Sequence, residues 1–427
     1  MHRLIVFALA LSVSASAATF RAGAAKVDIT PQDSQWLMGY QARQSTGVLD
    51  HIYHRVVALD DGATQFYLIS SDLCLFSPSV YDDFTAELHR QIGIDRGHVW
   101  WMVTHSHAAP EVGPPGIYKT LLGRSDHEWN RAYAQRIQET LIQGVKEARA
   151  KLEPARLAVG TGWAMANINR RARDANGRIS LGLNPDGPAD RQIGLLRFEK
   201  PDGSPIALIA NYAMHGTAMS GKNLEISGDA PGVTAAYVEE KLGAPVLYMN
   251  SAAGNLAPIY SVYPDAKSAH LSEFQVLLGD HILQAVQQMG AGTPDVALAA
   301  SEKWIETPRK PDLDWPEELG SYTAKRADGA PLVRLPVRFL RLNDTVLWSA
   351  PVEMFCEISM RVRNSSPFPH TFYFGYANGW IGYLPTRHGF EEGGYEPKTS
   401  VFTGQAEQDD GDSVIGHLQS MERRPTR

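Results

Sequence analysis

The chain alternates short apolar runs with amphipathic stretches, and this alternation restricts its fold more than any other feature. The apolar runs lie at 66–69, 99–103, 206–210, 246–249 and 346–348. Residues 79–92 and 128–152 carry the periodicity of helices that bury one face. Apolar strands separated by such helices predict an α/β fold, with mixed, partly parallel β-sheets covered by helices.

Polar residues of unusual chemistry follow the apolar runs. His105 and His107 follow the second run, His215 the third, Asn250 the fourth and Glu353 the fifth. In α/β sheets the loops at the carboxyl ends of strands converge, and binding sites form there. We therefore expect these side chains to share one site.

The tetrapeptide at 104–107 contains two histidines in a His-x-His arrangement. In an extended segment the two rings point to opposite sides, so that one can bind a metal while the other lies beside it; both can bind if the chain bends. Metallo-β-lactamase-like hydrolases continue this motif with Asp-His, whereas Ala108, Ala109 and Pro110 follow here. Amidohydrolase barrels place the motif on their first strand, whereas here a strand and a helix precede it. Both classes are therefore excluded.

Three further positions are ambiguous from local sequence. A single histidine beside an apolar strand, such as His215, is in most proteins a core residue. Glu353 and Glu357 lie four residues apart, which predicts a shared helix face and a helix that begins near Glu353. Tyr383, taken alone, would be assigned to packing.

The sequence contains neither a Gly-x-Ser-x-Gly elbow nor a Gly-rich phosphate loop followed by Lys-Ser/Thr, which argues against serine hydrolases and nucleotide-dependent enzymes.

The N-terminus has the pattern of a secretory signal peptide. A basic start is followed by apolar residues 4–13 and by an Ala-x-Ala sequence that ends at Ala17. We expect residues 1–17 to be removed and residues 18–427 to form a single catalytic domain that is secreted or periplasmic. No later stretch of the sequence is long and apolar enough to span a membrane.

The net charge and the cysteine content argue against a nucleic-acid-binding protein and against a cysteine-rich metal site. The net charge is -7 and no dense Lys/Arg block occurs, which argues against nucleic-acid binding. The two cysteines, Cys74 and Cys356, are too few for a cysteine-rich metal site. Both lie in apolar patterns, so we expect them to be small buried hydrophobic residues rather than a disulfide.

Taken in order, the motifs resemble the catalytic domain of neutral, non-lysosomal ceramidases. The matching segments lie at 22–31, 38–40, 104–107, 167–170, 215–217, 227–229, 250–258, 351–353 and 382–396. Each segment alone is weak evidence, but their order and approximate spacing extend over nearly the whole chain after the signal peptide. The resemblance implies the ceramidase-like α/β catalytic fold.

The resemblance also implies a metal site and a set of catalytic residues. In that family two histidines, one glutamate and one tyrosine hold a zinc ion, and by resemblance these are His105, His215, Glu353 and Tyr383. The implied catalytic residues are His107 for proton transfer, Arg170 at the scissile carbonyl, and Tyr395 near the site. Imidazole and oxygen ligands in this number suit a catalytic Zn²⁺ that keeps a position open for water.

Two departures from the family bear on the substrate. Ceramidases carry a Gly-Asp-Val-Ser-Pro motif, and the matching segment here, 254–258, has Ala257 in place of the serine. The chain also ends where the family's C-terminal immunoglobulin-like domain would begin. We expect a zinc-dependent hydrolase that uses a metal-activated water to cleave the amide of an N-acyl, ceramide-like lipid or small molecule. The alternatives are cleavage of an ester, lactone or saccharide derivative at the same site, and a non-catalytic zinc-containing binding protein.

Overall fold

The computed structural model describes residues 20–124, 127–260 and 270–422, so the predicted signal peptide at 1–17 lies outside the described residues. The strands are β1 (Arg21–Asp28), β2 (Trp36–Leu37), β3 (Arg43–Gln44), β4 (Gly47–Val48), β5 (Tyr53–Asp60), β6 (Gln65–Ser71), β7 (Val99–Val103), β8 (Glu153–Pro154), β9 (Arg156–Trp163), β10 (Asn167–Arg173), β11 (Ile179–Asn184), β12 (Gln192–Glu199), β13 (Pro205–Tyr212), β14 (Glu225–Ile226), β15 (Val246–Asn250), β16 (Leu256–Pro258), β17 (Leu298–Pro308), β18 (Thr323–Lys325), β19 (Pro331–Leu342), β20 (Thr345–Ser349), β21 (Glu353–Met354), β22 (His370–Phe374) and β23 (Tyr383–Leu384). The helices are α1 (Pro78–Ile92), α2 (Ile117–Leu122), α3 (Arg131–Ala150), α4 (Asp229–Leu242), α5 (His281–Gln288), α6 (Cys356–Ser365), α7 (Arg387–Glu392), α8 (Tyr395–Lys398) and α9 (Ala406–Glu422).

Three mixed sheets form the framework. Their strand orders are β7-β6-β5-β1-β8, β15-β13-β12-β9 and β17-β19-β20-β22. Each contains one parallel pair, β6 with β7, β13 with β15 and β20 with β22, while the other neighbours along each order are antiparallel. A helix lies between the two strands of each parallel pair, as a crossover connection requires. The predicted mixed, partly parallel α/β fold is confirmed.

Local sequence explains why the first crossover forms. The helix α1 starts after Ser77, whose side chain accepts a hydrogen bond from the Ser79 amide, and Pro78 occupies its first turn. It ends at Gly93, which has a φ of 70° and supplies the left-handed residue common at helix ends. The apolar face of α1 buries Val80 and Phe84 beneath the sheet.

One core joins all three sheets. It contains Val57, Leu68 and Trp100 from the first sheet, Leu196, Ile209 and Leu247 from the second, and Leu340, Leu347 and Phe372 from the third. Burying each of these large apolar side chains contributes roughly 1.5–3 kcal/mol relative to leaving it exposed. The segments that follow the carboxyl ends of β7, β13 and β20 meet at the site described below.

Two local predictions are wrong. Glu353 lies in β21, and the helix α6 starts only at Cys356, so Glu353 and Glu357 do not share a helix face. The reason is that Glu353 pairs with Tyr383 in a short parallel bridge, which holds its backbone extended. The residues from 365 to the C-terminus are rich in glycine, proline and aromatic residues, which predicts long loops with a frayed polar end. The structure instead has α9 from Ala406 to Glu422, packed against α6 and β17.

Cys74 and Cys356 are free and buried, which confirms the prediction that they act as small hydrophobic residues. Among the described residues, every helix is too short or too polar to cross a bilayer.

Candidate metal centre

The two histidines of the His-x-His motif lie on the same side of the chain because the backbone bends between them. His105 has a φ of 65°, in the left-handed region that non-glycine residues rarely adopt. The bend brings the Nε2 atoms of His105 and His107 to 3.1 Å from each other. Of the two arrangements that the spacing allowed, the bent one is therefore observed.

His215 reaches the same place from the end of β13. Ser106 and Gly216 form a parallel β-bridge, and a Cβ atom on Gly216 would lie only 2.5 Å from the carbonyl oxygen of His105. Glycine at this position therefore allows the two histidine-bearing segments to touch. The rings of His105 and His215 consequently lie with their centroids 4.5 Å apart.

Glu353 and Tyr383 complete the cluster from paired strands. The Oε2 atom of Glu353 lies 3.0 Å from Nε2 of His215 and 3.4 Å from Nε2 of His105. The hydroxyl oxygen of Tyr383 lies 3.4 Å from Nε2 of His215. The four side chains predicted to hold zinc therefore meet in one place, and each is at most 3% exposed.

The donor atoms of this cluster fit a divalent cation. The Nδ1 atom of His215 lies 2.8 Å from the Ala253 carbonyl oxygen, and that of His105 lies 3.1 Å from the Cys74 carbonyl oxygen. These carbonyls accept the Nδ1 protons, so both Nε2 lone pairs face the space beside the Glu353 carboxylate, where Nη1 of Arg170 also approaches Nε2 of His215. Three lone-pair donors whose atoms lie within 4.8 Å of one another repel unless a cation lies between them. Zn²⁺ takes this set of nitrogen and oxygen ligands, and histidine ligands commonly donate their second nitrogen to a carbonyl in this way.

Two histidines at the site, His107 and His215, have a lowered pKa and are neutral bases. Burial, reinforced by the positive charge of Arg170, lowers the pKa of His215 to about 3. Burial and the neighbouring imidazoles of His105 and His215 lower the pKa of His107 well below its usual value. Neutral imidazole is the form that can bind a metal or accept a proton.

The remaining predicted residues lie around this cluster. The Nη1 atom of Arg170 lies 2.9 Å from Nε2 of His215, and its Nη2 donates to the Tyr383 hydroxyl at 3.0 Å. The rings of Tyr395 and Tyr383 are 5.7 Å apart. Asn250, in contrast, supplies no atom to the cluster: its side chain donates to the carbonyl oxygens of Thr104 and Met214 and so ties the two histidine segments together from behind.

A cavity of about 560 Å³ reaches the cluster, and its lining includes His105, His107, Arg170 and Glu353. The lining also includes the apolar side chains of Leu75, Leu122 and Leu181 and the ring of Tyr118. Ala257, the residue at the family's serine position, also lines the cavity. The cavity therefore combines a polar base with apolar walls, the usual character of a small-molecule site.

Sequence reasoning did not identify the groups that hold the ligands in place. Trp380 donates its indole N–H to Oε1 of Glu353 at 2.9 Å, and the ring of Tyr376 stacks on His105 with centroids 4.2 Å apart. The ring of Tyr40 meets the edge of His107 at 4.8 Å. Tyr40 lay within a segment that resembled the family, but its local sequence carries no signal of a contact with a histidine more than sixty positions later.

Known proteins resemble this chain in sequence and in fold. Residues 20–257, more than half of the chain, match the sequence model described as neutral/alkaline non-lysosomal ceramidase, N-terminal. The chain belongs to this family. It is 25% identical over 278 residues to the neutral ceramidase of Pseudomonas aeruginosa, covering 61% of this chain and 40% of that protein. It is 27% identical over 244 residues to neutral ceramidase B of Dictyostelium discoideum, covering 54% of this chain and 33% of that protein.

The structural similarity to a known ceramidase extends over more of this chain than the sequence alignments do. The crystal structure of the Pseudomonas aeruginosa neutral ceramidase superposes with a TM-score of 0.76 at 19% identity, covering 96% of this chain and 75% of that chain. The family resemblance predicted from the motifs is therefore confirmed. The sequence matches extend over less than half the length of both curated ceramidases.

Proposed function

We propose that this ceramidase-family protein is a zinc-dependent hydrolase that cleaves the amide bond of an N-acyl, ceramide-like lipid. The observation that carries the proposal is the convergence of two histidine nitrogens and one carboxylate oxygen at the base of an apolar-walled cavity. The names of its relatives, neutral ceramidases, support the same substrate class.

His105, His215, Glu353 and Tyr383 would hold the zinc ion in this scheme. When bound, zinc would polarise the substrate carbonyl and lower the pKa of a water molecule, which allows hydrolysis at neutral pH. The chain's own contribution is to fix the ligands: backbone carbonyls orient both imidazoles, and Trp380 orients the carboxylate.

The protein also supplies a base and an oxyanion donor. The neutral His107 borders the cavity and would accept a proton from the attacking water as its oxygen bonds to the carbonyl carbon. The same proton would pass to the nitrogen of the leaving amine as the C–N bond breaks. The guanidinium of Arg170 would donate to the carbonyl oxygen, where negative charge develops. The scheme uses no hydroxyl at position 257, so Ala257 is compatible with it.

We further propose that residues 1–17 are a signal peptide and that residues 18–427 act as one catalytic domain outside the cytoplasm. The basic, apolar and Ala-x-Ala order of the N-terminus supports export.

The test is release of free sphingoid base from a short-chain N-acylsphingosine, with zinc-replete and chelator-treated protein assayed in parallel. We expect turnover that chelation abolishes and added zinc restores. Absence of turnover from protein shown to contain zinc would contradict the proposed substrate. Turnover that survives complete zinc removal would contradict the proposed role of the metal.

A further inference from the structure

Two consecutive arginines on β10 donate hydrogen bonds to the same carboxylate, that of Glu396. Side chains of neighbouring residues on a strand lie on opposite faces. The pairing of β10 with β11 is irregular here: Asn169 pairs with Asn184 and Arg171 with Leu181, so β11 contributes one residue more than β10 over this stretch. Such irregularities often lie next to active sites. At this irregularity Arg170 lines the cavity, while Arg171 reaches the same carboxylate.

The shared partner is Glu396, in the first turn of α8. Its Oε1 accepts from Nε of Arg170 at 2.9 Å, and its Oε2 accepts from Nη1 of Arg171 at 2.6 Å. Glu396 is 1% exposed, Arg170 6% and Arg171 5%. Charged groups so far from water are held in place by their partners, because losing one partner leaves a buried charge unpaired.

The contact with Glu396 fixes the direction of the Arg170 guanidinium. With Nε held by the carboxylate, Nη2 donates to the Gly254 carbonyl oxygen at 2.9 Å and to the Tyr383 hydroxyl at 3.0 Å. The third nitrogen, Nη1, faces Nε2 of His215 at 2.9 Å. The guanidinium group of Arg170 is planar and rigid, and it cannot rotate when both Nε and Nη2 are held. The contact between Glu396 and Nε therefore sets which edge of the guanidinium faces the metal centre.

Arg171 contacts the end of α7 rather than the candidate metal centre. Its Nη2 donates to the Gly393 carbonyl oxygen at 2.8 Å and lies 3.2 Å from Oε2 of Glu392. These contacts tie β10 to the end of α7 and do not reach the cavity. The two oxygens of Glu396 therefore serve two arginines with different roles.

We propose that Glu396 is a positioning residue for hydrolysis, acting through Arg170. The inference rests on the proposed function, in which Arg170 stabilises charge on the carbonyl oxygen. Glu396 does not touch the substrate: it holds the donor at the place where that charge develops. Misplacing such a donor by about 1 Å can cost on the order of 100-fold in rate.

The experiment compares Glu396→Gln, Arg170→Gln, the double variant Arg170→Gln/Glu396→Gln, and Arg171→Met as the matched control. The glutamine at 396 keeps the side-chain shape but removes the charge that both arginines need. We expect Glu396→Gln to lower kcat by about 10-fold or more, approaching the loss in Arg170→Gln, with KM changed less than about threefold. The double variant should be no slower than Arg170→Gln alone, because both changes remove one interaction. Arg171→Met should keep kcat within about threefold, and zinc content should be equal in all variants.

Three results would overturn the inference: unchanged kcat in Glu396→Gln, additive losses in the double variant, or an equal loss in Arg171→Met, which would indicate a purely structural role. If Glu396→Gln does not fold, Glu396→Asp, which keeps the charge but shortens the side chain, takes its place with the same expectations.

A second readout separates this inference from the proposed function. Binding of hexanoate, a short carboxylate that the Arg170 guanidinium can recognise, is measured by calorimetry and needs no turnover. If the wild-type protein releases no sphingoid base, the proposed function fails. The positioning role still predicts that Arg170→Gln and Glu396→Gln weaken hexanoate binding by about 10-fold while Arg171→Met does not. Equal binding in all four proteins would overturn it.

Discussion

Of the seven described non-glycine residues with a positive φ, three lie around the proposed metal centre. Tyr40, His105 and Tyr376 have φ values of 53°, 65° and 53°. His105 is one of the predicted ligands, and the other two rings pack against His107 and His105. Each such conformation costs on the order of 1–3 kcal/mol and persists only where the surroundings enforce it. The strain therefore indicates that the fold imposes the arrangement of these side chains.

The carboxylate of Glu353 is the charged member of the proposed ligand set, so replacing it should remove the metal. We expect Glu353→Gln to reduce bound zinc from about one ion per chain to well below half, because an amide is a weaker zinc ligand than a carboxylate. Zinc content of the purified protein, measured by inductively coupled plasma mass spectrometry, checks this. The matched control is Glu357→Gln, since Glu357 accepts a hydrogen bond from Asn255 at 2.8 Å and does not border the cavity. Full zinc content in Glu353→Gln, or equal loss in both variants, would contradict the assignment.

The sequence predicted several residues that come together in the candidate site, but not how they are oriented. The ordered motifs singled out His105, His107 and His215, and all three lie together. The spacing of His-x-His left two geometries open, because a backbone angle of 65° at His105 depends on neighbours distant in sequence. The contact between Glu396 and Arg170 spans 226 positions and has no local signal.

At the scale of single elements, the C-terminal helix α9 contains an unusual buried acid. Asp410 is 1% exposed, and neither of its carboxylate oxygens has a hydrogen-bond partner among the described residues. Burial raises the pKa of Asp410 from its usual 3.8 to about 7, although the positive charge of Arg361 opposes the shift. The folded protein therefore holds Asp410 protonated under mildly acidic conditions.

This shift predicts that the protein loses stability as pH rises from about 4 to about 7. In that range the folded state keeps a proton on Asp410 that the unfolded state releases, so the free energy of unfolding falls with pH. One proton gives a slope of at most about 1.4 kcal/mol per pH unit. We expect Asp410→Asn to remove this component and to raise the melting temperature above that of the wild type at pH 8. Thermal unfolding at pH 5 and pH 8 measures it, with the exposed Asp83→Asn as control. A variant whose pH dependence matches the wild type would show that Asp410 is ionised in the folded protein.

The same helix shows where sequence periodicity fails. The buried face of α9 consists of Ala406, Asp410, Gly411, Val414 and Leu418. An acid and a glycine interrupt the apolar stripe, so the segment has the composition of a loop although it packs as a helix. The predicted helices at 79–92 and 128–152 correspond to α1 and α3 because their apolar stripes are continuous. The wrong helix start at Glu353 has a different cause, since the bridge to Tyr383 that extends the backbone is a tertiary contact.

At the scale of the whole molecule, the proposed metal centre joins parts of the chain that are far apart in sequence. His105 follows β7 of the first sheet, His215 follows β13 of the second, and Glu353 and Tyr383 form the bridge that lies between β20 and the C-terminal helices. A cation bound to all of them links three sheets at one point. Such a cation binds the folded state far better than the unfolded chain, so it stabilises the fold by mass action.

This linkage predicts that zinc raises the melting temperature of the whole domain. At a free zinc concentration of about 1,000 times the dissociation constant, binding contributes about 4 kcal/mol, which corresponds to at least about 4 °C for a chain of this size. Differential scanning calorimetry of chelator-treated protein, with and without added zinc, measures the shift. Glu353→Gln should show little or no shift, whereas Glu357→Gln should respond like the wild type. An equal shift in Glu353→Gln would mean that the stabilising ion binds elsewhere. A shift seen only in proteins that keep Glu353 would instead mean that the ligands of the proposed reaction also hold the three sheets together.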